Sequence, residues 1–586
     1  MKKLSAVSYQ LSARTGHTRR ACIVLAALIL LVLSGSCLAG EVTRTLADGV
    51  TFVQIVRNEG AEPMAINVLK IDTKNPNVKI ESALAGDTVL ADDATQGRET
   101  VSRLAARTGA LAAVNADYFP FTGDPLGIAI VNGDLVSEPF QGRAALGISR
   151  GGWFLFDKLG FAGQVTSASG ATFKIHGVNR LRGLNELICY TPAFGCATPA
   201  RNDCVNVVLS GCSIPLPPNA QVEAAVQEVV NGPGVSVPQG GCVLSGNGPA
   251  AKFILDNLKP GEKVTLKLDL VSEMGKNWTP VVQAVGGGPW LVRSGQVYVD
   301  WAAQKFDGRM ALAKHPRTAV GMTADKQLLL VTVDGRQWIS RGMTLMELAE
   351  LMISLGSVTA INLDGGGSTE MSIRGLIVNS PSEGAERPVA NCLIVRAGEP
   401  KTASPDVRFS LSELTAHAGV GQKLALIDAA TGLELKEPEL SRVVWGFKGG
   451  RGFVNQSGFF VPLRAGSGTI TALLGEKRAD LPVTVLFGEP ATLTASIKAD
   501  PSGAAGRGLV EARVTDKAGN PISGKPVTIA VTGGAPDVGE VVTDARGAAV
   551  FGVTWDTSVD PSCRHVVVSV GGLTPVSAKY APPKQQ

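Results

Sequence analysis

Three consecutive glycines, Gly365 to Gly367, close the apolar run 358–363 and the Asp364 behind it, and no regular element continues through such a stretch. Upstream, Thr344-Leu-Met-Glu347 has the spacing of a capping box, and Leu345, Leu348, Ala349, Met352 and Leu355 recur at helical intervals until Gly356. The order predicted is a helix of about three turns, a short buried strand, and a carboxylate at its C-terminal end. A glycine loop follows, whose N–H groups can approach an anion without a Cβ in the way. A plain glycine turn with its Asp capping its own backbone is the competing reading.

The segment has an echo. Residues 109–117 lie over 356–364 without a gap, and both end in Asn-x-Asp after a helical segment, here 99–107. A strand–turn–strand followed by Arg and small or apolar residues recurs at Arg143-Ala-Ala-Leu-Gly147, Arg317-Thr-Ala-Val-Gly321 and Arg387-Pro-Val-Ala390. If this repeat is structural, it brings several Arg side chains and both Asn-x-Asp ends to one face.

A length of 586 residues exceeds one core and predicts about three or four domains. Charged residues are 18% and the net charge is +4, which leaves no nucleic-acid footprint. Glycine, at 69 residues, and aromatics, at 5%, suit turn-rich β structure with more strand than helix. Lys2, Lys3, Arg14, Arg19 and Arg20 precede an apolar run near 23–33 and the small residues Ser34-Gly-Ser-Cys-Leu-Ala39. Residues 1–39 are thus expected to be a signal peptide, and the protein to be exported: extracellular, periplasmic or on the cell surface. Of nine cysteines, five fall between 189 and 242; in an exported chain this predicts disulfides, with a zinc site as the rival.

Residues 41–397 read as one α+β domain with a mixed sheet, and 179–257 as a Cys-, Pro- and Gly-rich wall or lid bordering the site, with a short helix near 250–255. Short alternating strands at 406–487 and 489–581 predict two all-β immunoglobulin-like sandwiches. They resemble bacterial immunoglobulin-like modules of the group 2 and the invasin-type group 1 kinds, and are expected to be spacers or modules that bind a cell-envelope polymer.

Seven ordered motifs then carry a more specific resemblance: Val114-Asn-Ala-Asp-Tyr-Phe119, Val285-Gly-Gly-Gly-Pro-Trp-Leu-Val292, His315-Pro-Arg-Thr-Ala-Val-Gly321, Val333-Asp-Gly-Arg-Gln337, Ser340-Arg-Gly-Met343, Asn362-Leu-Asp-Gly-Gly-Gly-Ser368 and Glu386-Arg-Pro-Val-Ala-Asn391. Over roughly 50–397 the chain resembles the phosphodiester glycosidase family. That resemblance implies hydrolysis of a glycosyl-1-phosphodiester, of the N-acetylglucosamine-1-phosphodiester kind, at the sugar.

The residues suit such chemistry. A phosphate monoester leaves as a stable anion, so charge neutralisation matters more than proton donation. Arg317 with Thr318, the loop Gly365, Gly366, Gly367 and Ser368, and Arg341 and Arg387 are the expected phosphate ligands. An oxocarbenium-like state calls for a carboxylate: Asp364 first and Asp334 second, with Asp117, Glu370 and Glu386 in reserve. Asn115, Asp117 and Asn362 are the expected sugar contacts, and His315 a candidate proton carrier. No cofactor or metal is expected, although Asp117, Asp334 and Asp364 together could hold Ca²⁺ or Mg²⁺. The alternative function is a non-catalytic surface protein that binds glycans or adheres through the same scaffold.

Overall fold

The computed structural model describes residues 39–57, 62–90, 97–120, 122–140, 142–200, 202–212, 214–398, 403–449, 452–500 and 506–579. The expected signal peptide lies outside them except for Ala39.

Residues 41–397 do not have the expected α+β architecture. The described residues are 49% strand and 9% helix, with a near-barrel sheet, and are nearly all β. Helical periodicity and caps are local signals, and they located helices correctly without revealing how little helix there is. The helices α1 (Val101–Thr108), α2 (Pro249–Asn257), α3 (Gly308–Leu312) and α4 (Leu345–Ser354) are ten residues long at most. None is long enough to form a layer of its own; each patches a sheet.

The first sheet has eight strands in the order Gly40–Ala47, Val50–Arg57, Met64–Asp72, Gln327–Val333, Arg317–Thr323, Ser357–Asn362, Trp290–Arg293 and Gln296–Val297. A twelve-stranded sheet holds Phe154–Thr166, Arg143–Ser149 and Val281–Gly286, and a five-stranded sheet holds Ala112–Asn115 between Met371–Ile373 and Asn391–Arg396. Pairing in all three is antiparallel apart from the two residues Gly177–Val178 against Leu187–Tyr190. One core joins the sheets, with Phe52, Leu69, Val114, Leu146, Trp290, Val320, Ile361 and Leu393 almost fully buried in it. Each such side chain contributes about 1.5–3 kcal/mol on leaving water.

Helix α4 begins as its sequence dictates. Thr344 accepts from Glu347 N while Glu347 accepts from Thr344 N, a closed capping box whose loss costs about 1 kcal/mol. Its Leu345, Leu348, Ala349 and Met352 are buried in the core under the first sheet. The helix thereby fixes Ser357–Asn362, the strand that carries Asp364 at its end.

The segment 179–257 is not a wall of loops. Leu187–Tyr190, Val205–Ser210, Gln221–Asn231 and Gly241–Gly246 are strands of the twelve-stranded sheet, packed on a core of their own. Within this core the Sγ atoms of Cys212 and Cys242 lie 3.6 Å apart.

Residues 406–486 and 490–579 form further β-sheets around two separate cores, centred on Trp445 and Phe460 and on Phe551 and Val568. The first is docked, not tethered. Arg44 Nε donates to Val443 O at 2.8 Å, Gln456 N donates to Gln54 Oε1 at 2.7 Å, and Val56, Ile339, Phe453 and Val461 share a core.

Candidate active site

The antiparallel register sets Ala319 opposite Asn362 and Arg317 opposite Val333. The strand ends that release Asp334 and Asp364 therefore meet at one edge of the first sheet, around Arg317. The two Asn-x-Asp ends converge there as well: Asp364 N donates to Ala116 O at 2.8 Å, and Asn115 Nδ2 donates to Asp364 O at 2.6 Å. The echo in the sequence thus corresponds to two strand ends clasped together.

Beside Asp364 opens a cleft of about 360 Å³ lined by Tyr118, His315, Arg317, Arg336, Arg387 and the glycine loop, with Asp307 and Arg309 among the other lining residues. Burial raises the Asp364 carboxyl to about 6, against the pull of hydrogen bonds from Ser368 and Gly365 N and of the Arg387 charge. Arg317 is held rigidly: Nε donates to Met343 O at 2.7 Å, and Nη2 to Met310 O and Ala313 O at 2.7 and 3.0 Å. Only Nη1, 3.9 Å from Met310 Sδ, lacks an oxygen partner among the described residues. Burial lowers this guanidinium to about 10, so it stays charged at neutral pH.

Arg387 pairs with Glu383 and reaches Ser368 Oγ at 3.3 Å with Nη1. Arg336 places Nη2 3.1 Å from His315 Nδ1, and burial, then the Arg317 and Arg336 charges, hold that imidazole below its usual value and so neutral. The Tyr118 hydroxyl donates to Gly288 O at 2.8 Å and accepts from Asn362 Nδ2 at 2.6 Å; burial, then the Asp364 charge, push its phenol well up. One buried carboxylate therefore shares the cleft with four guanidinium groups, those of Arg317, Arg336, Arg387 and Arg309, the last paired with Asp307.

Gly365, Gly366 and Gly367 line the cleft, and two of their three amides are already engaged within the protein. Gly365 N donates to Asp364 Oδ1 at 2.9 Å and Gly366 N to Pro316 O at 2.9 Å. Gly367 serves a different need, since a Cβ there would collide with Arg387 Nη2 and Glu383 Oε1. The loop lets Arg387 lie flat against it.

Other expected residues sit behind the cleft. Asp334 is buried with Oδ1 accepting from Asn379 Nδ2 and Oδ2 from Ser380 N, each at 3.0 Å, and burial raises it to about 7. It does not line the cleft. Thr318 Oγ1 donates to Asn115 Oδ1 at 2.8 Å, and Asn362 Nδ2 also reaches Gly288 O, so these three are committed to internal bonds. Asp117 accepts from Tyr118 N and Gly127 N and, by burial, also rises to about 7. Glu370 is buried, and its Oε1 accepts from Arg387 N. Glu386 binds Ser102 through both oxygens. Arg341 lines a different cleft.

Of the three echoed arginines, Arg317 and Arg387 line the site, while Arg143 stacks behind it, 4.1 Å from the Phe306 ring centre and 5.6 Å from that of Tyr118. Arg336 and Tyr118 had no role in the sequence reading, although both lie inside quoted motifs. No described residue of 179–257 lines the cleft. Among the described residues no group of three or more His, Cys, Asp or Glu side chains is gathered so as to hold a metal ion.

Residues 218–396 match the family described as Phosphodiester glycosidase, and they include Asp364, His315, Arg317, Arg336 and Arg387. N-acetylglucosamine-1-phosphodiester alpha-N-acetylglucosaminidase of Bos taurus is 35% identical over 141 residues, 22% of this chain and 27% of that protein. The SPbeta prophage-derived uncharacterized protein YomE of Bacillus subtilis is 36% identical over 117 residues, 20% of this chain and 18% of that protein. The chain thus spans about a quarter or less of the length of these relatives. A hypothetical protein from Synechocystis shares the fold, with a TM-score of 0.50 at 21% identity over 60% of this chain and 62% of that one.

Proposed function

We propose that this protein is an exported hydrolase that cleaves a glycosyl-1-phosphodiester, of the N-acetylglucosamine-1-phosphodiester kind, between the anomeric carbon and the phosphate oxygen. The observation that carries this is the meeting of Asp364 with Arg317, Arg336 and Arg387 in one cleft of a phosphodiester glycosidase region. Arg317 Nη1, Arg336 and Arg387 take the phosphate and neutralise the charge that grows on it as the bond breaks. Asp364 stands at the anomeric carbon. A proton affinity near pH 6 leaves it mostly ionised at neutral pH and still basic enough to act as nucleophile or to take a proton from water. The phosphate monoester leaves without a strong acid, which fits a cleft whose other acid, Asp307, is paired with Arg309. Tyr118 and His315 are placed to contact the sugar and a phosphate oxygen. The leader-like N-terminus supports export, and the all-β segments support attachment to an envelope polymer.

The test is turnover of an aryl N-acetylglucosamine-1-phosphodiester by wild type and by Asp364→Ala, with the released anomer followed by NMR. Retained configuration assigns Asp364 as nucleophile and inverted configuration as base. Wild-type rates in the variant would remove Asp364 from the mechanism.

A further inference from the structure

A second cleft, of about 320 Å³, adjoins the first. Its lining includes Arg336, Trp338 and Arg341, Arg464 from the module at 406–486, and Lys517 from the last module. Three cations are exposed and Arg464 is half-buried, and none of the four is in an ion pair among the described residues. No Asp or Glu is among the described residues that line it. Lys517 sits 6.0 Å over the Trp338 ring, and Arg464 Nη2 reaches Ser382 O at 3.4 Å. Arg336 lines both clefts, so the phosphate side of the Asp364 site runs directly into this basic groove. Four uncompensated cations gathered by three separate parts of the chain cost electrostatic self-repulsion, which a bound polyanion relieves.

We propose that this groove is a subsite for the continuing chain of a substrate whose sugars are joined by repeated phosphodiesters, so that the protein acts on a polymer and not on a small conjugate. One phosphate is cleaved at Asp364 while the next ones rest on Arg341, Arg464 and Lys517, and the all-β modules complete the binding track. A single-stranded nucleic acid shares the phosphates but needs a series of ring faces for its bases. Here one aromatic ring is present, and Lys517 covers it.

The inference rests on the catalytic reading of the Asp364 cleft, and the experiment separates the two. Fluorescein-tagged tetramer and monomer of N-acetylglucosamine-1-phosphate units joined by phosphodiesters are titrated against full-length wild type and Arg464→Glu/Lys517→Glu, and cleavage of each is measured. Lys517→Gln serves as a second variant, and melting curves check folding. Binding is expected to favour the tetramer and to weaken roughly tenfold to a hundredfold in the double variant, as expected for lost charged contacts, with monomer cleavage unchanged. Equal binding of monomer and tetramer, or tetramer binding untouched by both variants, overturns the subsite even if the monomer is cleaved. Tetramer binding that depends on these residues, with no cleavage of either ligand, keeps the subsite and removes the catalytic reading. Equally tight, variant-sensitive binding of a single-stranded DNA 12-mer overturns the assignment to a sugar–phosphate polymer.

Discussion

Gly367→Ala separates the two jobs that a glycine loop can do. If the loop bound phosphate through its amides, an added methyl at Gly367 would matter little, because the backbone remains. In the structure the methyl instead meets the ends of Arg387 and Glu383. Both are flexible and half-exposed, with side-chain exposures of 34% and 46%, so they can swing away at a cost of no more than about 1 kcal/mol. The backbone of Gly367 lies outside the left-handed region and accepts alanine. Folding should thus be nearly unchanged while the cleft loses one guanidinium. A charged hydrogen bond to phosphate contributes about 1.5–3 kcal/mol, so kcat/KM should fall roughly 10- to 150-fold. The assay is aryl N-acetylglucosamine-1-phosphodiester hydrolysis with parallel melting curves, extended to Arg387→Ala and the double variant. The double variant should be no worse than Arg387→Ala alone, because both changes remove one interaction. Wild-type kcat/KM in Gly367→Ala, or fully additive losses, would refute the reasoning. Gly365→Ala provides the contrast: its Cβ would lie 2.8 Å from Pro316 O, a backbone atom that cannot swing away, so a lower melting temperature is expected.

Three further outcomes are expected. The rate should follow the ionisation of Asp364, with kcat/KM falling about tenfold per pH unit below about pH 6; a profile flat down to pH 4.5 would contradict this. Asp334, raised to about 7 by burial, binds its proton more tightly folded than unfolded, so its contribution to stability is complete below about pH 4 and is lost as pH rises through 7. Melting temperature should therefore decline across that window, and less steeply in Asp334→Asn; an unchanged slope would show that Asp334 is not the titrating group. Mild oxidation should join Cys212 to Cys242, whose sulfurs are 3.6 Å apart inside one core, detectable by peptide mapping without reductant; exclusive pairing of either thiol elsewhere would exclude this geometry.

Much of the site could be read in the chain because it is local. Thr344 and Glu347 cap a helix, Val358 to Leu363 form an apolar run, and Asp364 follows with glycines behind it; each signal lies within a few residues of what it determines. Arg317 and Arg387 were found through the same repeat that placed Arg143 near them. Asp334 looked equivalent to Asp364, since both end strands before glycine. Its fate was decided by Asn379 and Ser380, some 45 residues away, which take up both oxygens. Asn115 and Asn362 are likewise turned inward, by Thr318 and by Tyr118 and Gly288, partners far along the chain. Arg336 enters the cleft from a left-handed backbone position with φ 59°, a conformation that the sequence of an arginine does not announce. The excess of helix expected came from the clear signals of α1 and α4, whereas strands within 179–257 were hidden by frequent Pro and Gly at their turns. The docking of Val443 and Gln456 on the first sheet is a contact between segments some 400 residues apart.

The most direct test of the central claim is hydrolysis of an aryl N-acetylglucosamine-1-phosphodiester in ¹⁸O-water by wild type and Asp364→Asn. Label in the released sugar, with the rate lost in the variant, is the result predicted for cleavage at the anomeric carbon by the Asp364 carboxylate. Label in the phosphate would contradict it, because the bond broken would then be phosphorus to oxygen.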